Sequence, residues 1–267
     1  MLKDITLGQF FPGSTVVHRL DPRTKLIAVV LYIVAIFLSA GWVSAALMIA
    51  VLCFCVAISR IPPKALFKGL KPLLFIVVLT GILNLFYTDG RVLVEWWIFC
   101  ITYEGLKRAI LMVLRIMLLV SGTFLLTYTT SPLAITDGLE RLFNPLKKLG
   151  LPVHELSMMM SIALRFIPTL LEETDKIMSA QKARGADFET GSLLQRAKAL
   201  LPVLVPLFVS AFRRADELAT AMECRCYQGG QGRTRMKELH MKGIDAAALL
   251  FFLLLLAASV VLKVYGL

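Results

Sequence analysis

Apolar residues along this chain fall into two patterns. In the first they form unbroken runs: Leu26–Ala40, Trp42–Ile58, Pro72–Tyr87, approximately Leu106–Tyr128, and Ala246–Leu262. A helix needs about 20 apolar residues to cross a hydrocarbon layer roughly 30 Å thick. The shorter runs must therefore extend at their ends or sit where the bilayer thins. In the second pattern Leu193, Ala197, Leu200, Leu204, Leu207, Ala211, Ala215, Leu218 and Met222 recur every three or four positions, with charges on the remaining faces. That is the stripe of a long amphipathic helix. Its most apolar stretch, Leu200–Phe212, is interrupted by Pro202, Pro206 and Ser210 and is too short to span comfortably. A preceding helix is predicted from Pro152 to Arg184 with a kink at Pro168, and a shorter one from Pro132. Gly185 and Gly229-Gly230 are the expected C-terminal stops of the two long helices. Between the third and fourth runs, Asp89–Tyr103 carries one Arg, two acids and Trp96-Trp97. It predicts an external loop or a shallow interfacial helix with tryptophans at headgroup level.

The fold class that follows is an all-α polytopic membrane protein, with about five transmembrane helices and a cytoplasmic domain of amphipathic helices. Residues 1–130 hold the N-terminal segment and the first four spans, 131–242 the amphipathic domain, and 243–267 the last span.

Composition agrees, since 58% of the residues are hydrophobic, which excludes an ordinary soluble domain. The net charge of +11 decides the orientation. Sixteen of the 29 Lys and Arg lie within 131–242, four within 1–25 and four within 59–71. Placing the N-terminus inside puts all three clusters on the cytoplasmic side, against anionic headgroups, and leaves the Lys-poor connections outside. Nucleic acid is the other partner of a basic chain, but no aromatic-interleaved basic motif is present. The opening, MLKDITLGQFFPGSTVVHRLDPRTK, lacks the apolar core of a signal peptide, so no cleaved leader is expected.

Candidate chemistry is sparse. There is no Walker A pattern, so ATP binding through a P-loop is excluded. His18, His154 and His240 are scattered. Of the five cysteines, Cys53, Cys55 and Cys100 fall in or beside apolar runs, and Cys224-x-Cys226 alone is too little for a metal site. Glu172, Glu173 and Asp175 read as a solvated helix face rather than an acid–base pair, and Ser121 and Ser157 have no His/Asp pattern around them. No catalytic residue, cofactor or metal is expected. Arg115 lies inside the fourth apolar run, either as a point on a substrate pathway or as a buried packing charge. With no second intramembrane charge to form a relay, packing is the better reading.

One pattern occurs twice. Residues 175–185, DKIMSAQKARG, and 216–226, DELATAMECRC, align on Arg184 and Arg225, which stand 41 positions apart. Each has an acid nine residues earlier (Asp175, Asp216), an aliphatic seven earlier (Ile177, Leu218), and a hydroxyl-Ala pair (Ser179-Ala180, Thr220-Ala221). A small residue precedes each Arg (Ala183, Cys224). A capping arginine at a helix end would need none of these matched offsets. Two copies of one helix-ending device imply two equivalent sockets on a partner, where a guanidinium can pair bidentately with a carboxylate in a cleft.

These residues resemble a known family, the transmembrane T component of energy-coupling factor (ECF) importers. The opening G-QFFPGSTVVHRLDPRTKL is similar to the family's N-terminal signature. The likeness continues through YEGLKRA, TYTTSP, LRFIPTLLEE, QKARGAD and AMECRCYQGG, over essentially the full length. The family carries two Ala-Arg-Gly motifs at the ends of two cytoplasmic coupling helices. The first is matched by Ala183-Arg184-Gly185; the second departs as Cys224-Arg225-Cys226, keeping the Arg between two small residues. The resemblance implies that both tips dock into two ABC-type ATPase subunits, the same or different, and that the helices contact a substrate-binding S component. It implies a scaffold for uptake of a vitamin or other micronutrient, in the cell membrane, and not itself an enzyme. The alternative from the residues alone is a self-contained secondary transporter or channel, with Thr80, Asn84, Arg115 and Thr123 as its thin polar support.

Overall fold

A computed structural model of the chain describes residues 10–39, 41–86, 92–96, 99–188, 190, 192–229 and 239–265. The chain divides into two compact units, one built on residues 8–141 and 238–267, the other on 142–237.

The first unit holds a single-turn helix α1 (Val16–Arg19), then α2 (Pro22–Leu38), α3 (Trp42–Ser59), α4 (Pro63–Leu70) and α5 (Leu74–Phe86). Two strands follow, β1 (Val92–Trp96) and β2 (Phe99–Thr102), then α6 (Tyr103–Thr129), α7 (Pro132–Phe143, most of it in this unit) and finally α10 (Gly243–Val264). Its core is Tyr32, Ala35 and Ile36 of α2, Met48 and Val51 of α3, Leu118 of α6 and Leu255 of α10. Gly122 of α6 is required there, because a Cβ at that position would lie 2.6 Å from the Tyr32 ring.

The strands correct one expectation. Where an interfacial helix was one reading, β1 and β2 pair antiparallel, with Val94 opposite Ile101 and Trp96 opposite Phe99. The β-branched and aromatic content of VLVEW and FCIT favours a pleated strand over a helix. The placement of Trp97 lies outside the described residues. A second difference is that the expected third span starts earlier. Pro63 opens α4 at its first turn, and a 3-10 turn at Lys71–Leu73 joins α4 to α5. Pro72 cannot donate to Lys68, so the helix tightens there instead of continuing.

Polar residues of the N-terminal signature fasten helix ends together. Asp21 caps α2, accepting from Arg23 N at 2.9 Å, and ion-pairs with the Arg23 guanidinium at 3.0 Å. Arg23 also donates to the Leu239 carbonyl at 2.9 Å. The Asp21 amide donates to Asp245 Oδ1 at 2.8 Å, while Asp245 Oδ2 accepts from Lys242 N and so caps α10. Lys25 is buried and donates to Thr129 O at 3.0 Å and Thr130 Oγ1 at 3.1 Å, placing a cation at the C-terminal end of α6. DPRTK is thus a knot of α2, α6 and α10, with a carboxylate at two helix starts and an ammonium at a helix finish.

Arg115 is settled by the same logic. Its Nη2 donates to Ser39 O at 2.6 Å, one of the carbonyls left open where α2 ends. The Ser39 hydroxyl bonds Ser44, which in turn bonds the Gly41 backbone across the α2–α3 turn. The arginine is a packing charge that closes a helix end.

The second unit begins with a 3-10 segment, Asn144–Leu149, and consists chiefly of α8 (Val153–Ala183) and α9 (Leu193–Cys224). Each has more than 30 residues, so each is roughly 45 Å long. α8 runs through Pro168, and α9 through Pro202 and Pro206. Ser192 and Gln195 form a capping box that starts α9.

Among the described residues, five helices are long and apolar enough to cross a membrane: α3, Pro63–Phe86, α6, Leu194–Cys224 and α10. The number agrees with the sequence reading; the membership differs at two places. α2 has 17 residues, about 25 Å, and falls just short, yet it supplies three of the seven core residues. α9 qualifies on average, but its charge-free stretch between Lys198 and Arg213 is 14 residues, about 21 Å. That stretch is shorter than a hydrocarbon layer roughly 30 Å thick.

Candidate partner-docking tips

Both arginines of the repeated pattern stand at helix ends, and the two ends have one backbone geometry. α8 stops at Ala183, with Arg184 as its cap residue at φ −88° and ψ 5°. Gly185 follows at φ +88°. Its amide donates to Lys182 O at 3.0 Å, and the Ala186 amide donates to Gln181 O at 3.0 Å. α9 stops at Cys224, with Arg225 at φ −95° and ψ 15° and Cys226 at φ +55°. The Cys226 amide donates to Glu223 O at 2.8 Å, and the Tyr227 amide to Met222 O at 3.0 Å. Each pair of bonds is a Schellman closure, with the left-handed residue directly after the arginine.

The second tip therefore reaches with cysteine the conformation that the first reaches with glycine. A side chain there costs roughly 1–2 kcal/mol relative to glycine. The α9 stop also falls earlier than expected. Gly229, at φ +87°, lies beyond the closure, and Gly230 is outside the described residues.

The match extends to side chains. Ser179 Oγ donates to Asp175 O at 2.7 Å, and Thr220 Oγ1 to Asp216 O at 2.8 Å, each one turn back along its own helix. Ala183, Arg184, Gly185, Cys224, Arg225 and Cys226 are all exposed. Cys224 and Cys226 are free thiols. Among the described residues neither Arg184 nor Arg225 enters an ion pair. The backbone closes each helix by itself, so the guanidinium is left to face outward.

The two helices meet through groups that the sequence reading took for a solvated face. Glu173 accepts from the Ser210 hydroxyl and, at 2.8 Å, from Arg214 Nη2. The Ser210 hydroxyl, opposed by a smaller desolvation, and then Arg214 hold the Glu173 carboxyl below the usual carboxylate range. Gln181 Nε2 donates to Pro202 O at 3.4 Å. Eight residues separate Gln181 from Glu173, and eight separate Pro202 from Ser210 in the opposite sense, so the helices run antiparallel where they touch. Val203 is buried, whereas Leu201, Val205, Phe208, Val209 and Phe212 are all more than half exposed. The exposed apolar side of α9 is thus broader than the stripe read from its periodicity.

Comparison with known proteins decides the lineage. The model of the CbiQ family, described as cobalt transport protein, matches residues 13–237. A protein of Ruminiclostridium cellulolyticum, named energy-coupling factor transporter transmembrane protein EcfT, is 54% identical over 245 residues, 92% of each chain. Proteins of the same name from Thermosediminibacter oceani and Bacillus subtilis are 52% and 50% identical, over 98% and 94% of this chain and 99% and 95% of their own. The chain belongs to the CbiQ/EcfT family. As an EcfT-type chain it is a multi-pass membrane protein and the transmembrane component of an ECF transporter, which sets aside the self-contained transporter.

Proposed function

We propose that this chain is the coupling scaffold of an ECF importer, in which Arg184 and Arg225 dock into two ABC-type ATPase subunits. The observation that carries the reading is the identity of the two tips. Both present an exposed arginine on a Schellman closure, one turn beyond a hydroxyl that donates to a backbone carbonyl four residues back. One capping arginine would need neither the repetition nor the exposure. Ala183, Gly185, Cys224 and Cys226 are the small neighbours that let a groove wall approach each guanidinium.

In this reading residues 131–242 are the cytoplasmic domain, the N-terminus is cytoplasmic, and ATP hydrolysis belongs to the partners. The exposed apolar side of α9, with Leu201, Val205, Phe208 and Phe212, receives the membrane-embedded S component that binds a vitamin or other micronutrient. Two stiff helices, each held at its tip by one of two moving subunits, must shift when those subunits close.

The test is co-purification from detergent-solubilised native membranes. The tagged chain should bring ABC-type ATPases and a small membrane protein, and the Arg184→Glu/Arg225→Glu chain should lose the ATPases. Retention of both ATPases by the double variant would dismiss the docking role.

A further inference from the structure

The crossing of α8 and α9 carries a second role, which rests on the coupling reading above. Pro202 and Pro206 each lack an amide hydrogen, so the carbonyls of Lys198 and Pro202 lose their partners within α9. A helix with two absent bonds one turn apart is weakest there, and a force on the Arg225 tip would bend it at that point.

The contacts from α8 straddle the second proline, Pro206. On the upstream side Gln181 donates to Pro202 O, the carbonyl that Pro206 leaves open. On the tip side Glu173 accepts from Ser210 and Arg214, one and two turns beyond Pro206. One unbroken stretch of α8 thus holds α9 on both sides of Pro206, and Val203 is buried between.

We propose that α8 splints the proline break of α9, with Glu173, Gln181, Ser210 and Arg214 as the positioning residues. With the splint in place α9 moves as one body, and displacement of the Arg225 tip reaches the exposed apolar stretch around Leu201–Phe212. Without it the tip swings about Pro206 and the displacement stops there. The arrangement also explains why an acid, an amide and a hydroxyl occupy a helix–helix contact where apolar residues would pack as tightly.

The experiment uses the full chain with spin labels introduced as unnatural amino acids at Arg196 and Glu217, both exposed and neither a matched position of the repeated pattern, so the native cysteines stay. A straight helix sets them about 32 Å apart. The wild-type chain is expected to give one narrow distance distribution, alone in nanodiscs and with its ATPases bound and supplied with MgATP. Glu173→Ala should broaden it towards shorter distances, most strongly with the ATPases cycling. Ser210→Ala with Arg214→Gln, which removes the same bonds from the other helix, should do the same. Pro206→Ala restores the amide donor, and in the Glu173→Ala chain it should bring the narrow distribution back. A narrow distribution in Glu173→Ala, or a broad one that Pro206→Ala leaves unchanged, overturns the splint. If the wild-type chain binds no ATPase, the coupling reading falls, while the measurement on the isolated chain still decides whether α8 stiffens α9.

Discussion

The knot at the start of α2 and the tips of α8 and α9 both set charged residues at helix ends, to opposite effect. In the knot every charge is answered within the chain. Asp21 holds Arg23 and the α2 cap, Asp245 holds two backbone amides, and Lys25 closes the end of α6. At the tips the backbone closes itself through Gly185 and Cys226, and the guanidinium has no ion-pair partner among the described residues. A charge at a helix end is structural when its partner is inside the molecule, and it is open to a partner protein when the backbone needs nothing from it.

Substitutions should separate the two regions. The largest loss of stability is expected from Asp245→Ala, which leaves the Asp21 and Lys242 amides unanswered. At about 1–3 kcal/mol for each lost partner, the chain should melt several degrees earlier in detergent. Arg184→Glu and Arg225→Glu should leave that melting temperature unchanged. Each should instead weaken ATPase binding by about 2–5 kcal/mol at its own tip, read by titration of the purified subunits. A fall in melting temperature comparable to that of Asp245→Ala would erase the distinction between the regions.

Smaller effects sharpen it. Cys226→Gly should relieve the left-handed strain and stabilise the α9 end by about 1 kcal/mol, and Gly185→Ala should cost α8 a similar amount. Amide exchange at Ala186 and Tyr227 would report both. The smallest effect concerns pH. The folded-state pKa of Glu173 is lowered, so its clasp contributes stability above the unfolded value of about 4.3 and loses it as pH falls through the folded one. A fluorescence pair at Glu172 and Arg213, exposed neighbours of the clasp, should therefore separate on acidification, and the same pair should be insensitive to pH in the Glu173→Gln chain.

Much of this was legible in the sequence because membrane spans and amphipathic helices differ in period. The runs from Trp42 and Leu106 became α3 and α6, and the stripe from Leu193 to Met222 became α9. The repeated Arg pattern was visible as fixed offsets, and the matched Schellman closures gave its helix-ending position a physical cause. What stayed hidden depends on contacts between distant segments. Nothing local announces that Asp21 meets Asp245, or that Glu173 faces Ser210 rather than water. Cys226 was hidden for a different reason: left-handed backbone is read from glycine, and here a cysteine occupies it. The hairpin was missed because an eleven-residue interval rich in Val, Trp and Ile suits an interface as well as a strand.

Site-specific crosslinking in native membranes tests the docking of the two tips. A photoreactive amino acid would replace Arg184 or Arg225 in turn, and the captured subunits would be identified. An ABC-type ATPase should be captured at each position, and none from a label at Leu149, which is 80% exposed but lies far from either tip in sequence. Capture of an ATPase at neither tip, or equally well from Leu149, would contradict it.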